Sequence, residues 1–235
     1  MVKFQFDRVS IQTVAKVGST NFRFCEYTQT NDVDHGHNVG DIEWILENSS
    51  NCLIIVGVRN PIDRNLSYFF QTYNDDFYND VKTKKNKYKG EFCYVPEMSN
   101  TDVDINRLID LYFKQPYHNT FNEWFEEFLE VTNIDSFDRE KGLDFYPFKN
   151  NNTIMIYTLE NLNRNSRYIF DVLGISYGMD TKEFWNNNDN IIYQKVKEKI
   201  AYEKSYLDNL LDTKIMRLFY TESDINDMFL KYDLR

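Results

Sequence analysis

Two stretches of the chain are apolar almost without interruption, and they organise everything around them. Cys52-Leu53-Ile54-Ile55-Val56-Gly57-Val58 and Thr153-Ile154-Met155-Ile156-Tyr157-Thr158 have the pattern of strands covered on both faces by helices. A third stretch, Val9-Ser10-Ile11-Gln12-Thr13-Val14, is alternating and β-branched, which predicts a strand over 9–14. Helical periodicity fills the intervals. Residues 21–27 fit the first turns of a helix, and 41–48 form a short amphipathic one with Ile42, Ile45 and Leu46 on one face. Pro61 suits the first turn of a helix over 62–73. Further helices are expected at 105–114 and 120–131, near 164–173 up to Gly174, and through most of the last forty-odd residues. The polar 74–105, with Lys82, Lys84, Lys85, Lys87 and Lys89, reads as a surface excursion, and 181–190 as an Asn-rich loop. Strands alternating with helices predict an α/β fold: a central parallel sheet flanked by helices, with a helical C-terminal part. Neither a repeat nor a linker rich in Gly, Pro or Ser divides residues 1–235, so one domain is expected.

Composition narrows the function classes. With 42% hydrophobic and 17% aromatic residues, 235 residues can build a sizeable core, which excludes disorder. Lys+Arg number 27 against 37 Asp+Glu, a formal charge of −10. That balance argues against sequence-independent nucleic-acid binding, which needs phosphate-neutralising cations. An anionic ligand then requires a locally basic pocket. No run approaches the roughly 18–20 apolar residues of a membrane span, and Lys3, Asp7 and Arg8 interrupt the N-terminus too often for a secretory signal. Cys25, Cys52 and Cys93 are odd in number and lack a CxxC pair, so they read as reduced thiols of a cytoplasmic protein. Only His35 and His37 lie close together, too few for a metal set.

The chemistry sits at the strand ends. After the first strand comes Ala15-Lys16-Val17-Gly18-Ser19-Thr20-Asn21. Small residues there let backbone N–H groups approach an anion at a helix N-terminus, with Lys16 adding a charge and the hydroxyls adding donors. The order is not that of a Walker A loop, where Lys follows the glycine. Taken alone, the segment reads more readily as a Gly-Ser turn capping a structural helix. After the second strand, Arg59-Asn60-Pro61 opens a helix carrying Ser67 two turns on, and ligands of open α/β sheets bind at such strand ends. Arg64 reads as a structural ion-pair residue on that helix. The third strand runs into Leu159-Glu160-Asn161-Leu162, then Leu173-Gly174-Ile175.

Together these segments resemble the phosphate-binding loops of the sulfotransferase superfamily, which uses 3′-phosphoadenosine 5′-phosphosulfate (PAPS). The family's first loop, Lys-x-Gly-[ST]-Thr, is matched by Lys16, Gly18, Ser19 and Thr20. Its second, Arg with Pro two and Ser eight residues on, is matched by Arg59, Pro61 and Ser67. The Glu160 and Gly174 segments match its strand ending in Glu-x-Leu and its Leu-Gly-Ile helix end. Within the superfamily, His35-Gly36-His37 and the Val58–Tyr68 stretch resemble the uronyl/heparan-sulfate 2-O-sulfotransferases. The Phe219–Ile225 stretch is similar to the tails of bacterial capsular-polysaccharide sulfotransferase-like proteins. Ala15 departs from the family's usual Pro, and Lys195, Lys197 and Lys199 stand where a basic Gly loop would close over the donor, or else form a solvated helix face.

The resemblance implies a P-loop-like sheet, PAPS as donor with adenosine 3′,5′-bisphosphate as product, and as acceptor a carbohydrate hydroxyl of a polysaccharide or glycan precursor. It implies that Lys16 balances charge on the leaving phosphate and that Lys16, Gly18, Ser19, Thr20 and Asn21 hold the 5′ side. Arg59 and Ser67 then hold the 3′-phosphate. His37 carries over as the general base; an imidazole, with an ordinary pKa of about 6.5, suits proton transfer near neutrality. His35 and a carboxylate such as Glu26 or Glu43 compete for that role. His118 is expected to be structural or acceptor-facing, and the aromatics of 112–128 mostly core. Two rival readings are an ATP-dependent P-loop kinase-like phosphotransferase and a non-catalytic nucleotide-binding protein of polysaccharide assembly.

Overall fold

Alternation across one sheet explains the uninterrupted apolar runs. The computed structural model describes residues 6–18, 22, 32–70, 104–174 and 191–233. Its sheet holds β1 (Arg8–Gln12), β2 (Val33–Gly36), β3 (Cys52–Val58), β4 (Leu143–Pro147) and β5 (Thr153–Thr158). The spatial order is β2-β1-β3-β5-β4; every neighbour pair is parallel except β4 with β5. Ile54, Val56, Val58, Ile154 and Ile156 face one apolar cluster, and Leu53, Ile55, Met155 and Tyr157 face the other. Both faces being covered, neither strand can afford a polar side.

The helices are α1 (Val39–Asn48), α2 (61–70), α3 (Ile105–Phe113), α4 (Thr120–Thr132), α5 (Leu162–Leu173), α6 (Ile191–Lys199), α7 (Lys204–Leu211), α8 (Lys214–Phe219) and α9 (Glu222–Asp233). The larger cluster takes Ile42 and Ile45 of α1, Leu66 and Phe70 of α2, Phe121 and Phe125 of α4, and the C-terminal helices. The smaller takes Ile169, Val172 and Leu173 of α5. Local chemistry sets the ends. Asn38 accepts from the Gly40 N–H to start α1, Asp104 accepts from Asn106 and Arg107 to start α3, and Gly174 ends α5 at φ +62°.

The α/β architecture, the mostly parallel sheet and the helical C-terminal part match the expectation from the sequence. Two strands differ from it. β2 reads Val-Asp-His-Gly and β4 reads Leu-Asp-Phe-Tyr-Pro; neither carries a buried-strand pattern, because each is an edge strand held by its pairing with β1 or β5. β1 begins at Arg8 and ends at Gln12, leaving Thr13 and Val14 to the loop. The helix expected at 21–27, the lysine cluster at 82–89, the 181–190 loop, Cys25 and Cys93 lie outside the described residues. Cys52 is buried and free, and burial pushes its thiol up to about 12. No helix among the described residues is long and apolar enough to cross a membrane.

Candidate functional site

From β1 the chain goes to one side for β2, then returns to the other side for β3. The C-terminal ends of β1 and β3 therefore flank a topological switch point, where open α/β sheets form a crevice. The loop after β1 is fastened there by side chains. Arg64 Nε donates to the Ala15 carbonyl (3.0 Å), Arg59 Nη1 to that of Lys16 (3.0 Å), and Tyr157 Oη to that of Val17 (2.9 Å). Val14 and Val17, both buried, root the loop in the core. Lys16 and Gly18 adopt left-handed backbone, φ +72° and +81°, and for a side-chain-bearing residue such as Lys16 this conformation costs energy.

Those three hydrogen bonds decide which way the loop faces. In a trans peptide, a carbonyl and the next residue's N–H point to opposite sides. The N–H groups of Lys16, Val17 and Gly18 are thus turned away from the two arginines and the phenol. Among the described residues, neither the Val17 nor the Gly18 N–H donates a hydrogen bond. Successive N–H groups around left-handed turns form a concavity suited to an oxyanion.

Tyr157 reaches the loop only because Gly57 lets it pass. Tyr157 of β5 pairs in register with Gly57 of β3, and its ring lies across that strand to meet the loop after β1. A Cβ on Gly57 would stand 2.6 Å from Tyr157 Oη and 2.7 Å from Val17 Cγ2. Phe22 packs on the same ring, centroids 5.0 Å apart.

The histidine segment closes the other side of the crevice. β2 pairs with β1 at Ile11–His35 and Gln12–Gly36, so the segment is extended and its two imidazoles lie side by side, 4.7 Å apart and edge-on. His37 Nδ1 lies 2.6 Å from the Thr13 carbonyl. A carbonyl only accepts, so Nδ1 carries the proton and the neutral ring offers Nε2 as a base. Trp124 Nε1 donates to the His37 carbonyl (2.9 Å). His118 has no such lone pair: Nε2–H donates to the Tyr112 carbonyl and Nδ1 accepts from Tyr206 Oη. Burial also lowers its pKa. It is structural, as are the buried Tyr112, Tyr117, Phe121, Trp124, Phe125 and Phe128. Glu43 sits exposed on α1, and Glu26 lies outside the described residues.

The second segment is set by hydrogen bonds at the start of α2. Asn60 accepts from the Ile62 N–H, and Glu160 Oε1 accepts from the Asn60 N–H while its Oε2 accepts from Tyr220 Oη. Glu160, at the end of β5, thereby locks the turn that presents the half-buried Arg59. Ser67 is buried on α2. Arg64 corrects the sequence reading: it is 2% exposed, and among the described residues no carboxylate pairs with it. The lysines of α6 divide. Lys197 pairs with Asp63 (3.3 Å), which also holds Lys231 of α9 (2.9 Å), whereas Lys195 and Lys199 are solvated. Against the cost of its burial, the two lysines hold the Asp63 carboxyl down at about 2.

Lys16, Gly18, His35, His37 and Arg59 thus gather at one edge of the sheet, with Ser67 on the helix that Arg59 introduces. Ser19, Thr20 and Asn21 lie outside the described residues. Sequence reasoning missed Tyr157, Trp124 and Gly57. One signal was readable: a tyrosine in a fully buried strand must place its hydroxyl, as a buried tryptophan must its N–H. A surface cavity lined by Phe137, Asp138, Arg139, Glu140, Thr221 and Glu222 shares none of these residues, and its acids disfavour an anion. Among the described residues no three His, Cys, Asp or Glu side chains group to hold a metal ion. No protein-family model matches the chain, and neither the curated proteins nor the solved structures contain a significant match.

Proposed function

We propose that this chain is a sulfotransferase on a P-loop-like sheet, moving the sulfuryl group of PAPS to a carbohydrate hydroxyl such as that of a polysaccharide or glycan precursor. The observation that carries the reading is the loop over 15–18. Its carbonyls are tied back by Arg64, Arg59 and Tyr157, which turns its N–H groups to the opposite side, away from those three side chains. The donor set fits a ligand bearing two oxyanion groups, since hydrogen-bond donors and cations outnumber acceptors there. The carbohydrate acceptor and the polysaccharide role rest on the sequence resemblance.

When bound, PAPS supplies a sulfuryl group for in-line transfer with a phosphate as leaving group. The N–H groups of the loop, with Lys16, Ser19, Thr20 and Asn21, hold and neutralise the 5′ side, where negative charge grows. Arg59 and Ser67 hold the 3′-phosphate. His37, with its proton fixed on Nδ1 by Thr13, takes the acceptor proton at Nε2. Trp124 holds the His37 backbone in place, and such positioning is a large part of transfer catalysis.

Calorimetric titration with adenosine 3′,5′-bisphosphate, beside AMP and ATP and without metal, tests the reading. The expected result is micromolar binding of the bisphosphate, lost in Arg59→Ala and much weaker for the other two nucleotides. Tighter binding of ATP with Mg²⁺ would instead favour the kinase-like reading, and binding of none would end the two-loop reading.

A further inference from the structure

Arg64 is a buried cation on α2. Its guanidinium carries five N–H donors, of which Nε–H goes to the Ala15 carbonyl and one on Nη1 goes to Asn65 Oδ1 (2.8 Å). The guanidinium also lies over the Tyr68 ring, 4.9 Å from the centroid. The side chain is 2% exposed, and among the described residues no carboxylate pairs with it, although the chain carries 37 Asp and Glu. Burial lowers its pKa to about 10, with the charge of Arg59 acting in the same direction. Removing a cation from water without a counter-ion is costly. In a chain of charge −10, such a residue beside a second arginine, with no carboxylate on it among the described residues, marks a place suited to an anionic ligand.

We propose that Arg64 is a positioning residue of the anion loop: it holds the Ala15 carbonyl turned back, and its buried charge is compensated by the phosphate or sulfate group that the loop binds. Arg64 acts through the loop rather than by touching the ligand, because its Nε is occupied on the carbonyl side. The ligand class is an oxyanion of at least two charges, which adenosine 3′,5′-bisphosphate satisfies. Identifying that ligand rests on the sulfotransferase reading; the role of Arg64 toward oxyanions does not.

The test compares wild type, Arg64→Lys and Arg64→Met by calorimetry and by thermal unfolding, with adenosine 3′,5′-bisphosphate and with inorganic pyrophosphate. Lysine keeps the charge but cannot hold Ala15 and Asn65 together; methionine keeps the bulk alone. Losing one charged hydrogen-bonding group should weaken bisphosphate binding about tenfold in Arg64→Lys and further in Arg64→Met. The ligand-induced rise in unfolding temperature should shrink in the same order. A structural role alone would lower both variants' unfolding temperatures and leave affinity and ligand-induced rise unchanged, which overturns the proposal. If Arg64→Met does not fold, Arg64→Lys decides: affinity equal to wild type overturns it. If wild type binds pyrophosphate but not the bisphosphate, the sulfotransferase reading fails while a tenfold loss of pyrophosphate in Arg64→Lys upholds Arg64. If wild type binds neither, both fail.

Discussion

Gly57→Ala adds one methyl group at the point where three strands' contributions to the crevice meet. The new Cβ would lie 2.6 Å from Tyr157 Oη, 2.8 Å from its Cζ and 2.7 Å from Val17 Cγ2. Carbon contacts settle at about 3.5–4.0 Å, so each neighbour must retreat by roughly an ångström. Neither can do so freely, since Tyr157 and Val17 are both 0% exposed. Overpacking of this kind costs about 1–3 kcal/mol. Displacing the phenol also leaves the Val17 carbonyl without its donor, about 1–3 kcal/mol more. Alanine recovers about 0.5–1 kcal/mol through a less flexible unfolded chain, so the net loss is about 3 kcal/mol. Urea unfolding should show the midpoint falling by about 1 M or more, and bisphosphate affinity should fall with it because the loop moves. Adding Tyr157→Phe removes the closest contact, so the double variant should lose less than the sum of the singles by more than about 0.5 kcal/mol. An unchanged midpoint, or strict additivity, would refute the account of how Tyr157 reaches the loop.

Other outcomes follow from the same geometry. His37→Ala should lower sulfate transfer about 10²–10⁴-fold with bisphosphate affinity intact, measured by transfer from PAPS to a panel of sugars. Trp124→Phe keeps an aromatic ring but loses the N–H to His37 and part of the buried indole; it should cost about 1–3 kcal/mol of stability and about tenfold in turnover through misplacement of the base. Asp63→Asn removes the anchor shared by α2, α6 and α9. Because the folded pKa of Asp63 lies below its ordinary value, at about 2, its ion pairs stabilise fully above about pH 5 and fade as pH falls. The variant should therefore be less stable by about 2 kcal/mol at pH 7 and match wild type near pH 2 in a pH-resolved unfolding series. Transfer should persist in EDTA, whereas a kinase-like activity would stop.

The parts of the fold legible in the sequence are those whose burial is total. β3 and β5 announce themselves because no face of either is left to water, and α5 because Gly174 ends it. β2 and β4 were illegible because edge strands take their stability from a partner. The residues at the strand ends, Lys16, Gly18 and Arg59, were legible because glycine, arginine and proline punctuate the chain there. What they hold on to was not. The hydrogen bond from Tyr157 to Val17 spans 140 residues and that from Trp124 to His37 spans 87, distances over which no local pattern carries information. Arg64 was misread for the opposite reason: an arginine on a helix ordinarily finds a carboxylate, and only the packing reveals that none among the described residues pairs with this one.

That misreading is informative, because the site breaks two local rules at positions that meet in space, Arg64 bonding the Ala15 carbonyl next to Lys16. Lys16 occupies left-handed backbone, a cost of order 1–3 kcal/mol, and Arg64 is buried with no carboxylate paired to it among the described residues. Lys16→Gly would relieve the first, and an apolar residue at position 64 the second. Instead the structure spends three long-range hydrogen bonds, from Arg64, Arg59 and Tyr157, on keeping the loop as it is. Strain and a buried charge held by independent supports are expected where a site is preorganised for a ligand rather than where a turn merely joins two elements. Lys16→Gly separates the two cases. If the loop is only a connection, the variant gains stability and changes nothing else; if the loop is an anion site, the variant gains stability and loses affinity for adenosine 3′,5′-bisphosphate, because it trades a fixed charge and a fixed backbone for a relaxed one.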